Sequence, residues 1–263
     1  MKKTGFLHSL HHQFSDPIDY HAQIGDEQFL INPFIGERIQ LSFLGEISCI
    51  HCGRRIKKTY NSGYCYPCFK SLAENDLCIV KPHLCHFHQG TCRDPEFGER
   101  FCMQPHIVYL ALSSDVKVGI TRKTNLPKRW IDQGATAAVP ILEVPTRKLA
   151  GEVEVYLAQY MKDKTNWRKM LRNEVADQDL TQVRDEVLAR LPDHYQPFVL
   201  EPRPISYFQY PHIEVPEKIS SLKLDKHPEV HGRLIGVKAQ YLILDSGVFH
   251  VRNHSGYKIA FSV

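Results

Sequence analysis

Two CxxC pairs constrain the fold of this chain more than any other feature of its sequence. They read Cys49-Ile50-His51-Cys52 and Cys65-Tyr66-Pro67-Cys68, with twelve residues between them. A CxxC turn followed by glycine, here Gly53, points two thiolates at one ion, and two such turns complete the tetrahedral shell that structural zinc prefers. The alternatives are four buried thiols or a redox CxxC, although a redox pair usually stands alone before a helix. The spacing therefore predicts one structural zinc ion held by these four cysteines.

Four further cysteines follow the two pairs, and they are Cys78, Cys85, Cys92 and Cys102. Six, six and nine residues separate them, which matches no standard ligand spacing, and several histidines lie among them. Two interpretations stay open: a second metal site, or cysteines that are buried only as packing residues. If a metal binds here, four cysteines fit better than a set with His86 or His88, because four like ligands lie in a short span with little other core.

Composition and charge limit the class of protein. The 263 residues give room for about two domains of ordinary size. The net charge of +4 is mildly basic and compatible with a phosphate-rich partner. The sequence has no apolar run of about 18 residues and no signal-peptide pattern at its start, so we expect no membrane partner and a cytoplasmic location. In a reducing compartment, eight cysteines favour metal binding or buried thiols over disulfides.

The pattern of apolar residues and turns predicts an α+β fold with three regions. Residues 1–104 would form a β-rich N-terminal region with zinc knuckles, and residues 105–192 a small mixed-sheet αβ domain with an extra charged helix over 174–191. Residues 193–263 would form a proline-rich linker and a small β-barrel-like region.

The C-terminal region is predicted to contain a strand over 234–244 and another over 248–252, joined by a glycine turn. Small barrels bind nucleic acid through aromatic stacking and basic grooves, and as often they pack against a neighbouring domain. The nucleic-acid contacts expected here are Lys238, Tyr241, Arg252 and Lys258.

The segment from Ile107 to Asn166 contains the residues from which we predict chemistry. Two β-prone runs, 107–112 and 116–120, are joined by Ser113-Ser114-Asp115, which predicts a hairpin. The further elements predicted are a helix capped by Asn125 that carries Arg129, a strand over 138–144 and a helix over 147–161.

In this order of elements the segment resembles the GIY-YIG nuclease family. That family has two strands with the name-giving tripeptides, a helix with a functional Arg, and a helix with a metal-binding Glu followed by an Asn. Ile107-Val108-Tyr109 stands at the first tripeptide and Lys117-Val118-Gly119 at the second. Leu126-Pro127-Lys128-Arg129-Trp130 resembles the Arg helix, and Glu154 with Asn166 twelve residues later matches the Glu-to-Asn spacing. The resemblance covers about a quarter of the chain.

The resemblance implies a role for each matched side chain. Glu154 would hold one Mg²⁺ or Mn²⁺ ion, and Arg129 would bind the scissile phosphate. Tyr109 or Lys117 would take a proton from the attacking water, and Asn166 would fix the end of the Glu helix. Further contacts to nucleic acid are expected from Arg122, Lys128 and Arg168.

Three positions depart from the family pattern: Ile107 replaces the first Gly, Lys117 replaces the second Tyr, and Gln133 stands where many members have His. In the family, the tyrosine and the histidine are expected to help activate water. Two functions are therefore expected as alternatives: a metal-dependent phosphodiesterase acting on DNA or RNA, or a non-catalytic nucleic-acid-binding or adaptor protein on the same scaffold. A third interpretation is a small phosphorylated ligand, with the zinc module bracing the N-terminal strands.

Longer phrases also resemble an uncharacterised bacterial family of unknown function with zinc-ribbon-like CxxC pairs near its N terminus. The phrases are Gly90-Thr91-Cys92-Arg93, residues 116–122, residues 129–135 and Thr165-Asn166-Trp167-Arg168. This likeness would span most of the chain and implies no activity. It does suggest a shared face around Arg129 formed by Asp132, Gln133, Trp167 and Arg168.

Overall fold

A computed structural model of the chain describes residues 1–161, 166–217 and 219–263. Thr165, which belongs to one of the phrases quoted above, lies outside the described residues. The described part combines several mainly antiparallel sheets with short helices, so the predicted α+β class is confirmed.

The strands, in chain order, are β1 (Lys2–Phe6), β2 (His11–Gln13), β3 (Asp19–Ile24), β4 (Glu27–Leu30), β5 (Arg38–Ser48), β6 (Arg55–Ile56), β7 (His106–Leu112), β8 (Val116–Arg122), β9 (Ala137–Val144), β10 (Ser206–Tyr207), β11 (Ser221–Leu222), β12 (Glu229–Lys238), β13 (Tyr241–Leu244), β14 (Gly247–His250) and β15 (Tyr257–Ser262). The α-helices are α1 (Tyr66–Ser71), α2 (Leu77–Val80), α3 (Pro95–Phe101), α4 (Lys128–Asp132), α5 (Arg147–Ala158), α6 (Trp167–Leu171) and α7 (Leu180–Leu188). Short 3₁₀ turns at Ala73–Asn75, Pro82–Leu84 and Phe87–Gln89 lie between α1 and α3.

The chain forms two compact units, and the second is nested in the sequence of the first. Unit 1 consists of Met1–Lys70 and Gln209–Val263, and unit 2 of Ser71–Phe208. The two CxxC pairs belong to unit 1, whereas the other four cysteines and the segment with the predicted chemistry belong to unit 2.

Unit 1 is built around β5, whose eleven residues pair with β15 on one side and β12 on the other. The strand order is β1-β15-β5-β12-β13-β14-β11, and β6 also pairs with β5. Across the described residues this sheet is open, with β1 and β11 as its edges, so the predicted C-terminal β-barrel is wrong. The C-terminal strands instead extend a sheet that the N-terminal strands begin.

The strand predicted over 234–244 is interrupted in the structure. Ala239 has a φ of 54°, in the left-handed region, so β12 ends at Lys238 and the chain turns back into β13. Lys238 is only 2% exposed and lies over the Tyr210 ring, with its Nζ 4.9 Å from the ring centroid. A side chain buried in this way is not an open contact for nucleic acid, in contrast to the expectation from the sequence.

Unit 2 has a four-stranded antiparallel sheet in the order β10-β9-β7-β8. The hairpin predicted at Ser113-Ser114-Asp115 joins β7 and β8, and it pairs Tyr109 with Gly119. Alternate residues of a strand face opposite sides. Val108 packs in a buried cluster with Val153 of α5, whereas Tyr109 contacts Trp130 of α4. The sheet therefore places α5 and α4 against opposite faces.

Helix starts and ends differ from the sequence prediction at several points. Asn125 does not cap α4; its side chain donates to Thr121 Oγ1 at 3.1 Å, and Pro127 takes the capping position. The charged helix predicted over 174–191 is shorter, because Asp179 caps α7 only at Leu180. No helix of the described residues has the length and apolar character needed to cross a membrane.

Candidate functional site

Unit 1 contains a compact cluster of four sulfur atoms. The Sγ atoms of Cys49, Cys52, Cys65 and Cys68 all lie within 4.8 Å of one another. Cys52 Sγ and Cys65 Sγ are 3.8 Å apart, and the edge of a tetrahedron with 2.3 Å zinc–sulfur arms is about 3.8 Å. The cluster is therefore compatible with a structural metal site.

Local backbone geometry creates this cluster. Cys49 follows β5 directly, and Gly53 reverses the chain with a left-handed φ of 70° while its N–H donates to the Cys49 carbonyl at 2.9 Å. The Cys65 N–H donates to Cys49 Sγ at 3.2 Å, and the Arg54 N–H lowers the pKa of the Cys52 thiol. Such N–H donors favour thiolates, which are the form of cysteine that binds metal.

Basic side chains surround the second half of this turn. Four of the five residues after Gly53 are exposed and basic, namely Arg54, Arg55, Lys57 and Lys58. Arg55 and Lys57, together with Lys226, line an open groove of unit 1 with a volume of about 760 Å³. This surface can attract an extended polyanion.

Unit 2 has a polar cavity of about 320 Å³, which we call the arginine cavity. The charged groups that line it are Arg122, Arg129, Arg147 and Glu154. Asn125 and Thr121 are further polar residues of its wall. Three guanidinium groups beside one carboxylate give the lining an excess of positive charge, which suits an anion.

Each charged residue is placed by a different part of the sheet and its helices. Arg122 ends β8, and Arg129 lies in the first turn of α4. Arg147 and Glu154 are seven residues apart on α5, so two helical turns bring them to the same face. Thr146 caps α5 by accepting from the Leu149 N–H at 3.3 Å, which fixes the turn that carries Arg147.

A hydrogen-bonded chain joins Arg129 to the buried Tyr109. The Gln133 amide lies between them, and the orientation that satisfies both places its oxygen 3.1 Å from Nε and Nη2 of Arg129. Its nitrogen then donates to Tyr109 Oη at 2.9 Å. Tyr109 is 0% exposed, and a Cβ on Gly119 would lie 2.7 Å from its hydroxyl oxygen. Glycine at position 119 thus leaves the space that this hydroxyl needs.

Lys117 lies within the same electrostatic environment. Its pKa is lowered to about 8, mainly by burial and also by the charge of Arg129, while Glu154 opposes the shift. Burial also raises the pKa of Tyr109 above its ordinary value, with Arg129 opposing. The structure thus brings Tyr109, Lys117, Arg129 and Glu154 together. The pKa of Lys117 lies closer to neutral pH than the pKa of Tyr109.

The remaining residues predicted for this site lie elsewhere. Lys128 is exposed and outside the lining of the arginine cavity, and the exposed Arg168 stacks over the Trp167 ring at 4.3 Å. Asn166 does not fix the end of α5; it caps α6 by accepting from the N–H of Arg168 at 3.1 Å. Its own N–H donates to Ser114 Oγ at 3.0 Å, which ties α6 to the hairpin turn.

Sequence reasoning missed Arg147 and Asn125 as wall residues of the arginine cavity. Arg147 could have been found by counting two helical turns back from Glu154, since both residues were predicted on one helix. Its Nη2 donates to the Ile79 carbonyl at 2.7 Å, and its buried Nε has no hydrogen-bond partner among the described residues. No sequence pattern predicted Asn125 as a wall residue, because its contact with Thr121 depends on the turn that follows β8.

The second set of cysteines meets in unit 2. Cys78, Cys85, Cys92 and Cys102 all line one small cavity, which we call the cysteine cavity. Asp76 and His86 also line it, and their ligand atoms lie within 4.8 Å of Cys78 Sγ. Among the described residues, the ligand atoms here that all lie within 4.8 Å of one another are those of Asp76, Cys78 and His86, and the other three cysteines line the same cavity.

Residues 36–259 match the family described as Protein of unknown function (DUF2797). The chain belongs to this family. The DUF2797 match includes both CxxC pairs, the cysteine cavity and the arginine cavity. No curated protein and no solved structure matches the chain significantly.

Proposed function

We propose that this protein is a metal-dependent phosphodiesterase that cleaves DNA or RNA with a diverged GIY-YIG site. The observation that supports this most is the arginine cavity, where Arg122, Arg129 and Arg147 converge beside Glu154. A phosphodiester is the anion that suits such a cavity, because guanidinium groups bind its oxygens in pairs and stabilise charge that develops on them.

The chain's own residues supply the parts of a hydrolysis. Arg129, held by Gln133, binds the scissile phosphate, and Arg147 binds a second oxygen. Water attacks phosphorus, a new P–O bond forms, the bond to the leaving oxygen breaks, and neutral Lys117 accepts the proton of the water. Tyr109 stays protonated and acts through its hydroxyl hydrogen bond.

Glu154 suits a single Mg²⁺ or Mn²⁺ ion, because it is the one carboxylate among the residues lining the arginine cavity. A hard cation takes one carboxylate and keeps several waters, for which a cavity of about 320 Å³ has room. When bound, such an ion neutralises developing charge on the phosphate oxygens.

We further propose that the ion of the four-sulfur cluster is zinc and that it serves the fold. Four cysteine ligands leave no open position for substrate, which is the arrangement of structural zinc sites. The basic residues from Arg54 to Lys58 would then grip the nucleic-acid backbone, and the net charge of +4 fits such a partner.

A non-catalytic nucleic-acid-binding or adaptor role is the second candidate. The contact between Gln133 and two donors of Arg129 favours it, because these donors already have a partner within the chain. Lys117 also stands where the family has its second tyrosine. In this case Arg129→Ala would weaken binding and reduce its salt dependence, whereas Glu154→Gln would change little.

A cleavage assay separates the two functions. Single-stranded, duplex and branched DNA and RNA would be incubated with Mg²⁺ or Mn²⁺ and with wild type, Glu154→Gln or the control Glu152→Gln. The control changes a carboxylate of the same helix that is not part of the cavity lining. We expect cleavage by wild type and by the control, and a loss of at least about a hundredfold in Glu154→Gln. Binding without cleavage by all three proteins would favour the adaptor.

A further inference from the structure

The cysteine cavity has the size of a single-ion site. Its volume is about 10 Å³, close to the room that one water-sized sphere needs. Cys85 and Cys102 are 7% and 6% exposed, and the aromatic rings of Phe87 and Phe97 complete the wall. A space this small excludes an organic ligand, and four sulfurs at its wall select a soft or borderline metal ion.

The oxygen and nitrogen donors at the cavity already have partners. Asp76 Oδ2 lies 2.7 Å from Arg93 Nε, and Asp76 Oδ1 accepts from the Cys78 N–H at 3.3 Å. His86 Nδ1 is 2.7 Å from Thr91 Oγ1, and its Nε2 faces Asp76 Oδ1 at 3.6 Å. These groups therefore form an outer layer that orients the cysteine loop. Cys92 Sγ donates to the Asp94 carbonyl at 3.3 Å, but a thiol is a weak donor and loses its proton when it binds a metal ion.

The segment that contains these cysteines has little apolar core to hold it. Between α1 and β7 the chain makes only α2 of four residues, α3 of seven residues and 3₁₀ turns of three residues. Helices this short are not stable by themselves. Metal ligation supplies the cross-links that such a segment needs, because its binding free energy becomes folding free energy.

We propose that Cys78, Cys85, Cys92 and Cys102 bind a second structural zinc ion as a four-thiolate site. Zinc replaces the four thiol protons, which are released to solvent, and no electron is transferred. The site is separate from the four-sulfur cluster of unit 1, so the full chain would hold two zinc ions.

This ion would also fix one wall of the arginine cavity, an effect on function that rests on the proposed activity. The Cys102 carbonyl accepts from the Arg147 N–H at 2.8 Å, and the Ile79 carbonyl accepts from its guanidinium at 2.7 Å. A Cβ on Gly151 of α5 would lie 2.5 Å from Pro82, which shows how closely the cysteine loop packs on this helix. The second zinc would thus position Arg147 without touching the substrate.

Zinc content of the purified full chain tests the site. Elemental analysis should give two zinc ions per wild-type chain and one in the Cys85→Ser/Cys102→Ser variant. The matched control His86→Ala should keep two. X-ray absorption at the zinc edge of the wild type should show a first shell of sulfur alone, at about 2.3 Å.

One zinc ion in the wild type would overturn the proposal, and this result does not depend on whether the serine variant folds. Loss of one zinc in His86→Ala, or oxygen and nitrogen in the first shell, would overturn the four-thiolate assignment. Two zinc ions in a protein that cleaves no nucleic acid would leave the metal site standing and contradict only the nuclease.

Discussion

At the residue scale, Lys117 and Tyr109 differ in the protonation state that their surroundings favour. Burial lowers the pKa of Lys117 to about 8 and raises that of Tyr109. The two groups therefore separate in titration: near neutral pH a fraction of Lys117 has lost its proton, while Tyr109 keeps its own. A lysine in this state can accept a proton, whereas an ordinary exposed lysine cannot.

We predict that the cleavage rate rises about tenfold per pH unit below pH 8 and levels off above it, because the neutral fraction of Lys117 rises through its pKa of about 8. Single-turnover rates between pH 6 and 9.5 would measure this profile. Tyr109→Phe should lower the rate and leave the inflection in place. A rate that falls above pH 8 would instead mean that Lys117 acts as a charged phosphate ligand.

The resemblance to the GIY-YIG family predicted part of this constellation. It implied that Tyr109, Lys117, Arg129 and Glu154 share one site, and in the structure these side chains lie close enough to influence one another's pKa. The bridge through Gln133 could not be predicted, because it depends on how α4 packs over the sheet. Spacing along the chain does not contain that information.

At the element scale, the β7–β8 pairing depends on the absence of a side chain at Gly119. Gly119 lies opposite Tyr109, and the phenol occupies the space where a Cβ would stand. Tyr109 cannot move aside easily, because it is fully buried and packs edge-on against Trp130 with ring centroids 5.8 Å apart. The glycine of this strand therefore serves packing more than backbone flexibility.

We predict that Gly119→Ala lowers the free energy of unfolding by about 1–3 kcal/mol, as overpacking of a filled core does. Urea unfolding measured by circular dichroism would give this value. In the double variant with Tyr109→Phe only part of the added cost should disappear, because the hydroxyl contact at 2.7 Å is removed while the ring carbon Cζ stays 2.8 Å from the added Cβ. A cost below about 0.5 kcal/mol in the single variant would contradict the packing argument.

Strands were easier to predict than the ends of elements. The hairpin at 113–115 and the strand beginning near Ala138 were predicted from apolar runs and are present. Asn125 was a reasonable cap by residue type, but its amide bonds to Thr121 and so cannot cap α4. Ala239 has no turn signature, and only pairing between β12 and β13 places it at a positive φ.

At the scale of the whole molecule, the four-sulfur cluster belongs to one unit and the arginine cavity to the other. Among the described residues, unit 1 has two sheets and unit 2 has one, and the units share none of them, so the loss of one metal should act first on the unit that binds it. This separation allows the structural role of the first zinc to be measured without reference to activity.

We predict that Cys52→Ser increases hydrogen exchange over residues 38–71, because β5, β6 and α1 lose their common anchor. Exchange in β7, β8 and β9 of unit 2 should stay close to that of the wild type. His51→Ala is the matched control, since His51 lies within the same turn and is exposed. Equal protection in both variants would argue against a structural ion at this cluster.

The sequence patterns could not predict that unit 2 is inserted between the two segments of unit 1. Apolar patterns identified β5 and the C-terminal strands separately, but nothing in either pattern states that they pair. The pairing of Ser42 with Glu229 joins positions about 190 residues apart. The predicted barrel was wrong for the same reason, because a local pattern gives strands and not their partners.

The nested topology also has a consequence for synthesis on the ribosome. The strand β5 leaves the exit tunnel long before β12 and β15, its two long partners. At roughly 5–20 residues per second the wait is about 10–40 s, and all of unit 2 is made within it. During this interval the nascent chain carries an eleven-residue strand whose partner already made is the two-residue β6, so most of its length stays unpaired. Until β12 and β15 are made, chaperones must keep β5 from pairing with strands of neighbouring nascent chains. Slow translation of the last third of the message should therefore favour aggregation.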